Sequence, residues 1–246
     1  MNQDCELYFL HIPKTAGTSI GRLLEGIAAG TNRSMLGPIL LDDLLRDEHR
    51  DWPRRQILHG HLGLVPLHDA APAHVATILR DPRDHLVSLY QHVRRFSHHP
   101  LHQLLNTEHL DLADWLADPR LAAFNDNPQA RHLGILPPPP PAGYDPHRPH
   151  AWQMEFELLR REISDDELLA RATATLSRCR LVGTVESLPD FTGGLARLLG
   201  IHDAQTPREN AGGYTRDSLP AEVVKRLDEA TRVDRAVYER ARSLAA

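Results

Sequence analysis

Hydrophobic positions along this chain alternate between short unbroken runs and stretches with helical spacing. Leu7 to Ile12 (LYFLHI) is a mostly apolar run that stops at Pro13, the pattern of a strand buried on both faces. Ile20, Leu23, Leu24 and Ile27 then recur at the spacing of one helix face. The pattern predicts a second helix over Ile39–Glu48, a strand over Ile57–Leu62 and another buried strand over Val75–Leu79. Asp81 and Pro82 open the next helix as N-cap and first helical residue, with Leu86, Val87, Tyr90 and Val93 as its apolar stripe. Leu110–Leu116 and the stretch from Leu121 to Leu133 also read as helical. Ser164 and Glu167 form a capping-box pattern ahead of Leu168, Leu169, Ala172 and Leu176. Arg180–Val185 reads as a strand, and Ser187–Leu199 as a helix closed by Gly200. A last helix starts near Ser218 and Pro220, with Val224, Leu227, Val233 and Val237 along one side. Strands alternating with helices predict a single α/β domain over 1–246, with a mostly parallel central sheet flanked by helices and no internal repeat.

Pro137 to Pro141 interrupt this alternation. Consecutive prolines exclude helix and central strand and predict an extended surface excursion over about 136–150. The length of 246 residues suffices for one well-covered core, and 41% apolar with 25% charged residues is a globular balance. The formal charge of −5 argues against a protein that coats nucleic acid. Cys5 and Cys179 are the only cysteines; they make no disulfide framework, and free thiols fit a reducing compartment. No apolar run spans a bilayer, and the first residues lack the basic region of a signal peptide. A cytoplasmic protein without a membrane span is the expectation.

Lysine is scarce: Lys14 and Lys225 stand against an otherwise all-arginine basic set. Lys14 falls in Pro13-Lys14-Thr15-Ala16-Gly17-Thr18-Ser19, between the first strand and the first helix. Such a loop gathers backbone N–H groups at a helix N-terminus, where the dipole favours an anion. Gly17 permits close backbone approach, the hydroxyls add donors and Lys14 adds a charge. The order is not that of a Walker A loop, which places lysine after its second glycine. An ordinary strand–helix turn with capping hydroxyls is the other reading of the loop alone. A second element, Arg80-Asp81-Pro82-Arg83, follows a strand, with Ser88 about 9 Å further along the helix. An arginine fork and a serine there suit one more anion.

PKTAGTS after the first strand and RDPxxxxxS after a later one resemble the sulfotransferases that use 3′-phosphoadenylyl sulfate (PAPS) and release PAP. FLHIPKTAGTSI is most similar to the branch containing heparan sulfate 2-O-sulfotransferase and small bacterial sulfotransferases. HGH at 59–61, NPQAR at 127–131, LVGTVESL at 181–188 and DRAVYERA at 234–241 follow in the family's order. The resemblance implies a sulfotransferase fold with a P-loop-like strand–loop–helix. It implies that residues 13–19 hold the 5′-phosphosulfate, with Lys14 also catalytic, and that Arg80 and Ser88 hold the 3′-phosphate. It implies His61 as the general base with His59 assisting. It places Asn127, Gln129 and Arg131 on the acceptor side, where helix-capping and surface roles are equally open. Arg208 and Asn210 fall where the family closes a loop over the nucleotide, although Ala211, Gly212 and Gly213 stand where relatives carry more basic residues. The implied reaction is sulfuryl transfer from PAPS to a hydroxyl of a carbohydrate or small molecule, without a metal. His98, His99 and His102 read as a solvated histidine-rich loop, not a metal site. The competing classes are a P-loop-type nucleotide kinase or other phosphotransferase, and a non-catalytic nucleotide-binding protein.

Overall fold

A computed structural model describes residues 5–137, 139, 143–145, 153–202 and 219–245. Five parallel strands form one sheet: β1 (Leu7–Leu10), β2 (Met35–Leu40), β3 (Ile57–His61), β4 (His74–Leu79) and β5 (Leu181–Thr184). Their order is β2-β3-β1-β4-β5. The described helices are α1 (Gly17–Thr31), α2 (Val65–Asp69), α3 (Pro82–Arg95), α4 (His102–Thr107), α5 (Leu112–Ala117), α6 (Ala122–Asn125), α7 (Pro128–Gly134), α8 (Gln153–Arg160), α9 (Asp165–Arg178), α10 (Leu188–Leu198), α11 (Ala221–Ala230) and α12 (Arg232–Ala245). No described helix is long and apolar enough to cross a membrane.

Strand alternation divides the core in two. Leu7, Phe9, Ile57, Ala76 and Ile78 face α1 and α10, whose Ile20, Leu24, Phe191 and Leu195 cover them. Tyr8, Leu10, Leu58, Val75 and Leu79 face the larger helical layer with Leu86, Leu133, Leu176 and Val237. β1 sits between β3 and β4 and is buried along its whole length. That is why it reads as a continuous apolar run. The loops leaving β1, β3 and β4 therefore meet at the C-terminal edge of the sheet, the usual ligand side of an open parallel α/β sheet.

The expected helix over Ile39–Glu48 is replaced by the end of β2 and two short 3-10 turns, Leu41–Leu45 and Asp47–His49. Gly37-Pro38 masked the strand, because proline cannot donate to a ladder. β2 tolerates it as the edge strand, with a register shift between Leu36 and Ile39. Gly37 has φ 139°, and a Cβ there would lie 2.0 Å from the His59 carbonyl oxygen. Only glycine fits that approach. The expected helix near Ser218 is two helices, with Thr231 between α11 and α12. The expected helical stretch 121–133 is α6 and α7, separated at Asn127, which is left-handed at φ 49°. The Ser164 hydroxyl accepts from Glu167 N–H at 3.3 Å, as the capping pattern predicts. Of the proline run, Pro137 and Pro139 lie among the described residues; 138, 140–142 and 146–152 lie outside them.

α7 and α12 cap each other. Asn127 Oδ1 accepts from Val233 N–H (2.7 Å) and Asp234 N–H (3.2 Å) in the first turn of α12. Asp234 accepts in return from Ala130 N–H (2.7 Å) and Gln129 N–H (3.3 Å) at the start of α7. Both side chains are fully buried, so loss of either leaves buried donors unmet. Asn127→Ala removes a cap and also strains a left-handed residue, and should lower unfolding free energy by about 2 kcal/mol. Urea denaturation checks this; an unchanged midpoint would show that the mutual cap contributes nothing.

Candidate anion-binding site

Residues 11–16 join β1 to α1. Lys14 and Ala16 both lie in the left-handed region, at φ 68° and 65°. Non-glycine residues hold that conformation only when surrounding contacts enforce it. Two such contacts are visible. Thr15, fully buried, donates its hydroxyl to Ile12 O at 2.8 Å. His85, buried on α3, donates Nε2–H to Pro13 O at 2.8 Å. The loop is thus clipped internally and tied to α3. Left-handed turns of this kind make concave groups of N–H donors that suit anions. Ser19 is buried beneath the loop, whereas Thr18 is exposed.

A wedge of imidazoles fills the space between the sheet and α1. Phe9 and His11 share one face of the first strand and its continuation, and His59 and His61 share the same face of β3. The His11 ring lies 5.2 Å from His59 and 4.6 Å from His61, edge-on to the latter. Gly17 and Gly21, one turn apart on α1, make room. A Cβ on Gly17 would fall 1.8 Å from His11 Nε2, and one on Gly21 would fall 2.7 Å from His59 Cε1. Gly17 is therefore needed by a neighbouring ring as well as by the loop. His59 is 1% exposed and neither ring nitrogen has a hydrogen-bond partner among the described residues. Burial, with His61 beside it, pulls its pKa down to about 3. Burial and the flanking His61 and His59 likewise hold His11 well below the ordinary imidazole value. His61, at the end of β3, is partly exposed, as is His11, whereas His59 is buried.

A second cationic side chain reaches the backbone of the loop. Arg80 follows β4, and its Nη1 lies 3.5 Å from Lys14 O. Among the described residues neither Lys14 nor Arg80 pairs with a carboxylate. The nearby acids are engaged elsewhere. Asp81 caps α3 through Arg83 N–H (3.1 Å) and Asp84 N–H (3.3 Å). Asp228 takes the Arg83 guanidinium at 2.6 and 2.7 Å. Glu186 accepts from Tyr238 OH (2.9 Å) and, more weakly, Asp81 N–H (3.4 Å). Burial lowers the Lys14 pKa, and Arg80 and Arg95 lower it further. A like-charged pair in a partly dry setting stores repulsion that a bound anion relieves.

The residues expected from the sequence thus divide. Pro13, Lys14, Thr15, Ala16, Gly17, Thr18 and Ser19 form the loop and first turn of α1, with Arg80 against it. Ser88 lies half-buried on α3, the helix that His85 ties to the loop. His59 sits behind His11, walled from an incoming molecule. Asn127, Gln129 and Arg131 have their polar groups committed inside the fold. Asn127 caps α12. Gln129 grips the backbone of Arg80. Arg131 donates to Asp126 O and Arg161 O, each at 2.7 Å. Arg208 and Asn210 lie outside the described residues. The described residues hold no cluster of His, Cys, Asp or Glu able to bind a metal ion. Sequence reasoning missed His11 and His85. His11 was findable: Phe9-x-His11 and His59-x-His61 have the same alternation, and Gly17-x-x-x-Gly21 marks the groove they need.

His11, His59 and His85 are each held neutral, the last at about 3 through burial. A base whose pKa falls on folding contributes stability above its unfolded value and loses it as pH drops. Asp234, pushed up to about 7 by burial, acts in the opposite sense, losing its contribution as pH rises. Between pH 6.5 and 4.5, three histidines oppose one carboxylate, so urea-unfolding free energy should fall with pH as unfolding takes up about two protons from these groups. A rise in stability on acidification would contradict the buried neutral wedge. Gly21→Ala, which drives a methyl into His59, should cost about 1–3 kcal/mol in the same assay at pH 7.5; an unchanged midpoint would show that α1 does not need the groove.

No family model matches the chain, and no curated protein matches it.

Proposed function

We propose that the chain is a PAPS-dependent sulfotransferase acting on a hydroxyl of a carbohydrate or small molecule. The observation that carries this reading is the meeting of Lys14 and Arg80 across the C-terminal edge of the sheet, without a carboxylate partner among the described residues. Such a donor set fits a ligand with two separated anionic groups. The α1 N-terminus and Lys14 would hold the 5′-phosphosulfate, and Arg80 with Ser88 would hold the 3′-phosphate. When bound, PAPS supplies the activated sulfuryl group. The family resemblance of PKTAGTS and RDPxxxxxS supports the same assignment.

Lys14 stabilises the charge that builds on the bridging oxygen as its bond to sulfur breaks. His61, partly exposed at the end of β3, accepts the acceptor hydroxyl's proton as that oxygen bonds to sulfur. His11, edge-on at 4.6 Å, fixes the His61 ring, and His59 behind it supports His11 by packing. A magnesium-dependent kinase finds less support, since Asp81 already caps a helix, Asp228 pairs with arginine and Glu186 accepts from Tyr238.

Transfer from labelled PAPS across a panel of hydroxyl acceptors tests the reading. Lys14→Ala should lower kcat/KM about 10²–10³-fold. His61→Ala should lower kcat while leaving PAP affinity within about threefold. Near-normal turnover by His61→Ala would remove it as the base. PAP binding without turnover on any acceptor would instead favour a non-catalytic nucleotide-binding protein.

A further inference from the structure

Arg80 is held by its backbone. Gln129 Oε1 accepts from Arg80 N–H at 2.9 Å, and Gln129 Nε2 donates to Arg80 O at 2.9 Å. One side-chain amide thus meets both polar groups of one residue, as a neighbouring strand would. Gln129 is fully buried. It stands in the first turn of α7, whose N–H groups at Gln129 and Ala130 are held by Asp234 of α12. A second, weaker relay reaches the next peptide: Tyr238 of α12 donates to Glu186 Oε2 at 2.9 Å, and Glu186 Oε1 accepts from Asp81 N–H at 3.4 Å. The Arg80–Asp81 turn leaves the sheet between two supports that both end on α12.

This arrangement answers a physical need. Arg80 leaves β4 just where ladder pairing ends, so the sheet no longer fixes its peptide. The guanidinium itself makes only a long hydrogen bond to Lys14 O (3.5 Å) among the described residues, so an unpinned turn would let it swing away from the like-charged Lys14. A bidentate amide at a buried site removes that freedom, and its loss would leave both an N–H and a C=O without their partners. We infer that Gln129 is the positioning residue that holds Arg80 in its anion-facing pose, with α12 as the anchor. Resting on the nucleotide reading above, Gln129 governs selectivity for the 3′-phosphate and not the acceptor.

The test compares two ligands on Gln129→Leu, which keeps bulk and loses both hydrogen bonds. Adenosine 3′,5′-bisphosphate should bind about tenfold more weakly, and adenosine 5′-phosphate, which lacks the group Arg80 would meet, should bind within twofold of the unsubstituted protein. Hydrogen exchange at the Arg80 amide should accelerate at least tenfold while β1 amides stay protected. An equal loss for both ligands, or an unchanged Arg80 exchange rate, overturns the inference. If Gln129→Leu does not fold, Tyr238→Phe cuts the weaker relay alone. It should still weaken the bisphosphate about two- to threefold without affecting the monophosphate, and no change overturns the two-support arrangement. Failure of the unsubstituted protein to bind the bisphosphate would sink the nucleotide reading, while the exchange rate of Arg80 in the variant would still decide the clamp.

Discussion

The Arg80 guanidinium donates to the Lys14 carbonyl at 3.5 Å while its charge opposes the Lys14 ammonium, so the site brings two like charges to one loop. Both belong to segments that have just left adjacent parallel strands, β1 and β4. Neither is neutralised by a carboxylate among the described residues. The acids close at hand are turned to other work: Asp81 caps α3, Asp228 holds Arg83, and Glu186 meets Tyr238. A chain with net charge −5 thereby builds a local positive site. The global sum argues against a nucleic-acid coat but says nothing against a compact polyanion, because local charge decides such binding.

The same site depends on glycine placement. Gly17 and Gly21 are absences of side chain that let two imidazoles approach α1. Both rings are held neutral and pack on Phe9, His11 stacked and His59 tilted, so they stiffen the strand ends below the loop. His61 alone of the β3 pair remains partly exposed. The pair that looks equivalent in sequence is therefore divided by depth into a buried residue and a partly exposed one.

Much of the central architecture was legible in the sequence. β1 and β4 are largely apolar runs because both sheet faces are covered, β3 and β5 open on apolar pairs, and the α1 and α3 stripes follow from one-sided burial. β2 was not legible, because Gly37-Pro38 reads as a break and only its edge position makes it tolerable. The loop and Arg80 could be found from local order, since their chemistry is carried by neighbours in sequence. The roles of Asn127, Gln129 and Arg131 could not. Their partners, Val233, Arg80 and Arg161, are distant along the chain, and only packing brings them together. Gln129 consequently moved from an expected acceptor contact to the backbone of the arginine it supports.

If the proposed function holds, Lys14 and Arg80 form one site for a doubly anionic nucleotide. Calorimetric titration with adenosine 3′,5′-bisphosphate in metal-free buffer tests it most directly, run beside magnesium-ATP and repeated on Arg80→Ala. The bisphosphate should bind saturably and one-to-one without magnesium, and at least tenfold more weakly in Arg80→Ala. Binding of magnesium-ATP alone, or bisphosphate binding indifferent to Arg80, would contradict it.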